Sequence, residues 1–578
     1  MLAAPPLTPA AKLRPIYRST DGCQIVLKVR YDPATIAFLR TLSGARWHTV
    51  GTQWTCDFTP AAAWRISQFF EREHLSAEVL DAATAFDTAS RAGPAALASL
   101  GPPARAKLPL WPHQLPIYQF LRTREAGLLA ADMGTGKTAP VIHLIVNERL
   151  AHTLILCPTS VRAVWRREFA RHASGPVAVC CLEDGSVAAK QRRAADMLAQ
   201  CARQRTPDNY PLPCALVSNY EAAWREPFAA WALNEQWDLV VLDESHRIKA
   251  HDSAISKFCA KLARRGKRRY CLTGTPMPHS PLDLFGQFRF LDRGLLGTSW
   301  FHFSHHYGVY ANPAIPQQLT GYRHQDELSA LSAMMTYRCE ARDVLSLPAV
   351  RHDVRPCPLG PKARRVYGDL ETELIAEFGA GTVSASNALV KLLRLQQVTS
   401  GFVPDDDEGE LHEIDDAKQQ ALGDLLTDIP AEDPVVVFCR FRHDLDRVRE
   451  AAERVSRRCG ELSGRQRDLT PDATMPADID VLACQIASGG VGIDLTRARY
   501  AVYYSVCWSL GEYDQSLARL CRPGQTRPVM YYHLVSPGTV DERVYEAFDQ
   551  RREVIETVLE GYRVSLSSCG NDRKERVL

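Results

Sequence analysis

The chain has 578 residues, enough for several domains. Hydrophobic residues make up 46% and charged residues 24%, ordinary proportions for a globular protein and far from those of a disordered or fibrous chain. A net charge of +2 excludes a global field that draws in polyanions, so any nucleic-acid contact must come from local patches.

Residues 1–20 carry proline, alanine and scattered charge; they read as disordered, without the continuous apolar core of a signal peptide. Beyond them Ile25, Leu27 and Val29 alternate as in a half-buried strand. Asp32-Pro33 then opens a short helix with Ile36, Leu39 and Arg40 at helical spacing. After Gly44-Ala45-Arg46-Trp47 a hairpin is expected to turn at Gly51 and return through Trp54, Cys56 and Phe58. Residues 21–80 thus read as a small α+β unit, and the Ala/Gly/Pro-rich stretch 81–107 as a helix plus linker.

The apolar run GLLA leads into ADMGTGKT (Ala131–Thr138) and then VIHLIV, the strand–loop–helix setting of a phosphate-binding loop. Gly134 and Gly136 let backbone N–H groups approach phosphates, with Met133 and Thr135 completing the loop. Lys137 is placed to reach β- and γ-phosphates and the Thr138 hydroxyl to ligate Mg²⁺. Ala131 stands where the full pattern has glycine, so the match is to the GxGKT core. Downstream, WDLVVLDESH is a buried strand ending in carboxylates. Asp243 suits Mg²⁺, Glu244 the attacking water, and His246 a link between nucleotide state and neighbouring loops. YCLTGTP is a further strand, ending in Thr273-Gly274-Thr275. With TLILCPTS and ALVSNYE between them, these runs alternate with helical patterns, which is α/β with a parallel sheet.

A helical region begins at FRFLDRGLLGTSWFHFSHHYG and runs to KLLRLQQVTSGFV. Its His302, His305 and His306 have no partner cysteine or Glu-x-x-His and read as a surface helix, and Asp405–Glu410 as a solvated acidic loop. Later, Arg519 and Arg522 lie three apart, on one helix face, with Gln515 four residues before Arg519. Arginine suits the charge that develops on a transferring γ-phosphate. Val544, Phe548, Ile555, Val558 and Tyr562 then mark one face of a bracing helix. The 17 cysteines include no C-x-x-C pair, and Cys157, Cys271, Cys439 and Cys484 fall in apolar runs, so reduced buried thiols in a cytoplasmic protein are expected.

In this order ADMGTGKT, LILCPTSVRAVWRREF, VSNYE, LDESH and LTGTP resemble the first RecA-like lobe of the Swi/Snf family of superfamily-two helicase-like ATPases. PVVVFCRF, ELSGRQRD, ASGGVGIDLT and DQSLARLCRPGQTRPV resemble its second lobe. The resemblance runs from near Leu108 to near Arg563. It implies two RecA-like parallel-sheet lobes with helical insertions beside the small N-terminal α+β domain. The domain plan is then lobe 1 at 108–295, protrusions and linker at 296–410, lobe 2 at 411–540 and a brace and tail at 541–578. It further implies that Gln114, in LWPHQLPIYQFL, reads adenine, that Gly492 and Asp494 border the nucleotide, and that Arg519 and Arg522 reach ATP on the first lobe. Thr273, Thr275, His246 and Gln515 become coupling residues and Trp508, in SVCWS, a DNA contact. His279 and Asp494 stand where the family usually or often shows Asn.

The YDP helix, GARW turn and hairpin Trp of residues 21–80 resemble the HARP domain found beside annealing-helicase motors. That implies DNA contacts at Arg40, Arg46 and Trp47, with Trp54 in the core. The implied activity is DNA-stimulated ATP hydrolysis with Mg²⁺, driving translocation on duplex or branched DNA and the remodelling or rewinding of forks. A plain duplex translocase that displaces proteins or serves a defence complex, and a junction-binding scaffold with a vestigial ATPase, are the alternatives.

Overall fold

The structure, a computed structural model, describes residues 16–29, 32–92, 94–311, 319–379, 385–404, 411–470, 472–487 and 493–567, with their side chains except at 94–95, 374–379, 385–389 and 556–567. The chain divides into two compact units: Met1–Glu340 with Ile555–Leu578, and Ala341–Val554.

The first unit opens with a four-stranded antiparallel sheet in the order Ile16–Arg18, Gln24–Leu27, Gln53–Asp57, Arg46–His48. The helices Pro33–Thr41 and Pro60–Phe69 start alike. An oxygen-bearing N-cap, Asp32 or Thr59, accepts a backbone N–H of the first turn, and proline occupies the position where no N–H is needed. Leu39, Ile66 and Val79 close with Ile25, Leu27 and Cys56 into a local core. The hairpin turns at Gly51, whose φ of +95° suits glycine. Three expectations change. A strand already stands at Ile16–Arg18, within the stretch read as disordered. Val29 lies past the end of its strand. The boundary at residue 81 cuts through the helix Ala77–Arg91, because Val79, Ala83 and Phe86 form one continuous buried face across it.

Next comes a seven-stranded parallel sheet in the order Thr336–Cys339, Ala126–Ala131, Gly266–Thr273, Trp237–Asp243, His152–Cys157, Cys214–Asn219, Ala178–Cys181. Its central strands are buried on both faces, which is why they read as unbroken apolar runs. The small N-terminal region is fastened to this unit at three consecutive residues. The buried Asp292 carboxylate accepts the N–H of Ala61 (3.2 Å) and of Gly294 (2.8 Å). Arg293 pairs with Asp57 at 2.8 Å. Gly294 lies so close that a Cβ there would stand 2.1 Å from Thr59 Oγ1.

The second unit holds a six-stranded parallel sheet in the order Val350–Pro356, Val529–Val535, Tyr500–Tyr503, Val435–Cys439, Val481–Gln485, Cys459–Leu462. The helix Val540–Ser567 begins in this unit, where it buries Val544 and Phe548; the side chains of Val558 and Tyr562 lie outside the described residues, as does the acidic run 405–410. The segment expected to be helical protrusion, 296–410, also supplies an edge strand to each sheet, Thr336–Cys339 and Val350–Pro356. These are two RecA-like parallel-sheet lobes with a small antiparallel α+β region before them. Among the described residues no helix is long and apolar enough to cross a membrane.

Candidate active site

Strand order brings the site residues of the first unit together. Ala126–Ala131, Gly266–Thr273 and Trp237–Asp243 are neighbours, with Thr273 opposite Ala130 and Leu272 opposite Asp243. The loop after the first strand, the TGT end of the second and the carboxylates ending the third therefore meet at one edge of the sheet, where open α/β sheets bind ligands.

The loop Asp132–Lys137 is held by its own bonds. The Lys137 ammonium donates to the carbonyls of Ala131 (2.8 Å) and Asp132 (3.3 Å), and Thr135 Oγ1 to Asp132 O (2.7 Å). Gly134 and Gly136 have φ of +83° and +74°. Gln114, buried, donates its amide to the carbonyls of Thr135 (3.2 Å) and Gly136 (3.3 Å) and accepts the Trp111 N–H (3.0 Å). Gln114 thus ties the loop, through its amide, to the backbone of Trp111, through its carbonyl oxygen. His113 adds a third bond, to Thr135 O at 2.9 Å. Thr138 is the first residue of the helix Thr138–Asn147.

Asp243 is buried and anchored from three sides. Trp165 Nε1 donates to Oδ2 (2.8 Å), the Glu244 N–H to Oδ1 (3.0 Å), and the Tyr220 hydroxyl to the backbone carbonyl (2.9 Å). Burial and the adjacent Glu244 raise its carboxyl above the usual carboxylate range, against the pull of the indole bond and of Lys137. Glu244 has left-handed backbone, φ +53°, a strained setting that costs about 1–3 kcal/mol. Its carboxylate lies 3.4 Å from His246 Nδ1 and 3.5 Å from Thr273 Oγ1, and His246 and Thr273 are 3.1 Å apart. Burial, with nearby Lys249, Arg247 and Lys137, holds His246 neutral down to about 3. Thr275 bonds through its N–H to Thr273 Oγ1. Lys137, Asp243, Glu244, His246, Thr273, Thr275 and Gln114 are therefore brought together. Trp165 and Tyr220 have no role in the sequence reading; the signal available was an aromatic with a polar handle inside each motif.

A carboxylate and a threonine hydroxyl are oxygen donors of the kind Mg²⁺ accepts, with phosphate and water completing its shell. The residues present fit that ion, and Thr138 and Asp243 are those that would hold it.

In the second unit the helix Leu510–Leu517 ends before both arginines, so Arg519 and Arg522 do not share a helix face. They sit in a turn closed by Pro523 and Gly524, whose φ is +106°. The Leu495 N–H bonds to Arg519 O (3.2 Å), and Arg522 donates to Ile493 O (3.0 Å). Arg519 is buried and Gln515 half-buried. Asp494 turns its carboxylate onto the Thr496 N–H and hydroxyl, at 2.9 and 2.7 Å. Gly492 lies outside the described residues. Trp508 packs partly into a local core with Tyr367 and Leu395. In the N-terminal region Arg40, in the last turn of the helix Pro33–Thr41, and Arg46, on the strand Arg46–His48, are exposed; Trp47 is 46% exposed, and Trp54 packs against the local core 5.9 Å from Trp47.

Residues 113–401 match the SNF2-related domain, and residues 417–524 the helicase conserved C-terminal domain. The chain belongs to the SNF2 family of superfamily-two helicase-like ATPases. It is an ATP hydrolase of the DNA-dependent helicase/translocase class. It is similar to protein p41 of Acyrthosiphon pisum secondary endosymbiont phage 1, with 28% identity over 78% of this chain and 97% of that protein. It is 23% identical to the CHD3-type chromatin-remodeling factor PICKLE of Arabidopsis thaliana, over 78% of this chain and 34% of that protein. With the DNA excision repair protein ERCC-6 of Homo sapiens it shares 25% identity, over 72% of this chain and 30% of that protein. The chain thus spans nearly all of the phage protein but only about a third of the other two. A solved structure of the Sulfolobus solfataricus SWI2/SNF2 ATPase core in complex with dsDNA is 21% identical, covering 80% of this chain and 96% of that one, with a TM-score of 0.37.

Proposed function

We propose that this ATPase translocates on duplex or branched DNA and remodels or rewinds forks. The observation that carries the motor chemistry is the cluster of Lys137, Asp243, Glu244, His246 and Thr273 at the ends of three adjacent strands. In this reading the Lys137 ammonium leaves the Ala131 and Asp132 carbonyls for the β- and γ-phosphates. Glu244 orients and deprotonates water, and neutral His246 and Thr273 hold its carboxylate in place. Mg²⁺ held by Thr138 and Asp243 would offset phosphate charge. The assignment of Arg519 and Arg522 to the transferring phosphoryl group rests on their motif. The fork preference is supported by the N-terminal α+β region, whose exposed Arg40 and Arg46 stand on a body fastened to the motor through Asp292, Arg293 and Gly294.

The test compares ATP turnover of the full chain with single-stranded, duplex and forked DNA, for the parent and for Glu244→Gln. The parent should be stimulated most by forks, and Glu244→Gln should lose about 10²-fold or more in kcat. Equal stimulation by plain duplex and fork favours the simple translocase. A Glu244→Gln enzyme hydrolysing ATP at the parental rate removes the general-base assignment.

A further inference from the structure

A cleft of about 340 Å³ separates the N-terminal region from the helices that follow the strand Gly266–Thr273. Arg40, Arg46 and Arg65 stand on one wall; His302 and Glu327 stand on the other. Arg65 is the informative member. Its guanidinium donates to Thr41 Oγ1 (2.8 Å) and to the carbonyls of Thr41 (3.4 Å) and Gly294 (3.5 Å), and among the described residues it forms no direct ion pair. Burial lowers its pKa, so the charge is kept there against a desolvation cost. The one carboxylate lining the cleft, Glu327, bonds to His306 (3.0 Å) and to the Tyr307 hydroxyl (3.3 Å), and with Tyr307 it offsets part of the Arg65 charge. Three arginines and one carboxylate line this cleft, an excess of positive charge that suits an anion.

We propose that this cleft binds the phosphodiester backbone of a DNA strand, so that the N-terminal region and the motor grip one strand together. The proposal rests on the DNA-dependent reading above. Strand alternation bears on the mode of recognition. Arg46 lines the cleft, whereas its neighbour Trp47 packs towards Trp54 and does not line it. The cleft therefore reads backbone charge rather than bases, and its binding is independent of sequence.

The test measures binding of the full chain to a fluorescent fork and to a plain duplex across a salt series. Arg46→Glu, at an exposed position, is the primary variant; Arg65→Gln is the second, and Arg203→Glu, exposed on another helix, is the control. Removing one arginine–phosphate pair should reduce the slope of log K against log salt by about 1. Arg46→Glu and Arg65→Gln should both show this reduction and Arg203→Glu should not. If the parent responds to DNA but Arg46→Glu keeps the parental affinity and slope, the cleft assignment falls and the motor reading stands. If DNA neither binds nor stimulates the parent, the DNA-dependent reading falls and takes the cleft with it.

Discussion

At the scale of single residues, Asp243 shows how a buried carboxylate is kept in place. Its oxygens take the Trp165 indole and the Glu244 N–H, and its carbonyl takes the Tyr220 hydroxyl. Trp165→Phe keeps the ring and deletes the donor. Leaving a buried oxygen unsatisfied should cost about 1–3 kcal/mol of stability, read by thermal unfolding. If Trp165 positions the carboxylate, the Mg²⁺ concentration for half-maximal ATP turnover should also rise. A variant that loses stability but keeps its Mg²⁺ requirement would make Trp165 a packing residue only. Lys137, Asp243 and Glu244 are legible in the sequence because their motifs are local, a few residues around a strand end. Trp165 is not, because its partner lies 78 positions away and only the sheet brings the two together. The bonds from Gln114 to the Thr135 and Gly136 carbonyls are likewise not legible, since they join residues 21 and 22 positions apart.

At the scale of elements, continuous apolar runs announce the central strands of both sheets. The edge strands Thr336–Cys339 and Val350–Pro356 are silent in the sequence because an edge has no such pattern; the second is exposed along nearly its whole length. The arginine turn reads as helix because i, i+3 spacing fits both, yet the helix breaks at Leu517, ahead of Pro523 and Gly524. The phosphate loop offers a sharper test of local geometry. Gly136 combines a φ of +74° with a Cβ direction only 2.3 Å from Gln114 Nε2. Gly136→Ala should therefore destabilise by about 1 kcal/mol or more and weaken nucleotide binding. Adding Gln114→Ala removes the clash but not the backbone strain, so the double variant should regain part of the loss. Full recovery in thermal unfolding would show that sterics alone make glycine necessary there.

At the scale of the whole molecule, each unit carries a buried neutral histidine. His246 and His533 are both lowered to about 3, against an ordinary 6.5, chiefly by burial. Between those values the unfolded chain binds protons that the folded chain refuses. Stability should therefore fall as pH drops from 6.5 towards 3, by about 1.4 kcal/mol per pH unit for each histidine. Asp283 and Asp444, raised to about 6 by burial, act oppositely: their contribution is full below 3.8 and is lost as pH rises through 6. His533→Gln should flatten the acid limb of the melting temperature between pH 5 and 6.5, measured by calorimetry. An acid limb as steep as the parent's would remove His533 from the account. The order of motifs makes the two-lobe plan legible, but the joint to the N-terminal sheet is not, since Asp292 meets Ala61 across 231 positions. That joint has a consequence for inheritance. Because a side chain at 294 would collide with Thr59, the N-terminal region cannot be transplanted onto another motor as a freely exchangeable module. A recipient must bring a bare backbone at that point, and a carboxylate two residues before it, or the graft will hang loose from its new host.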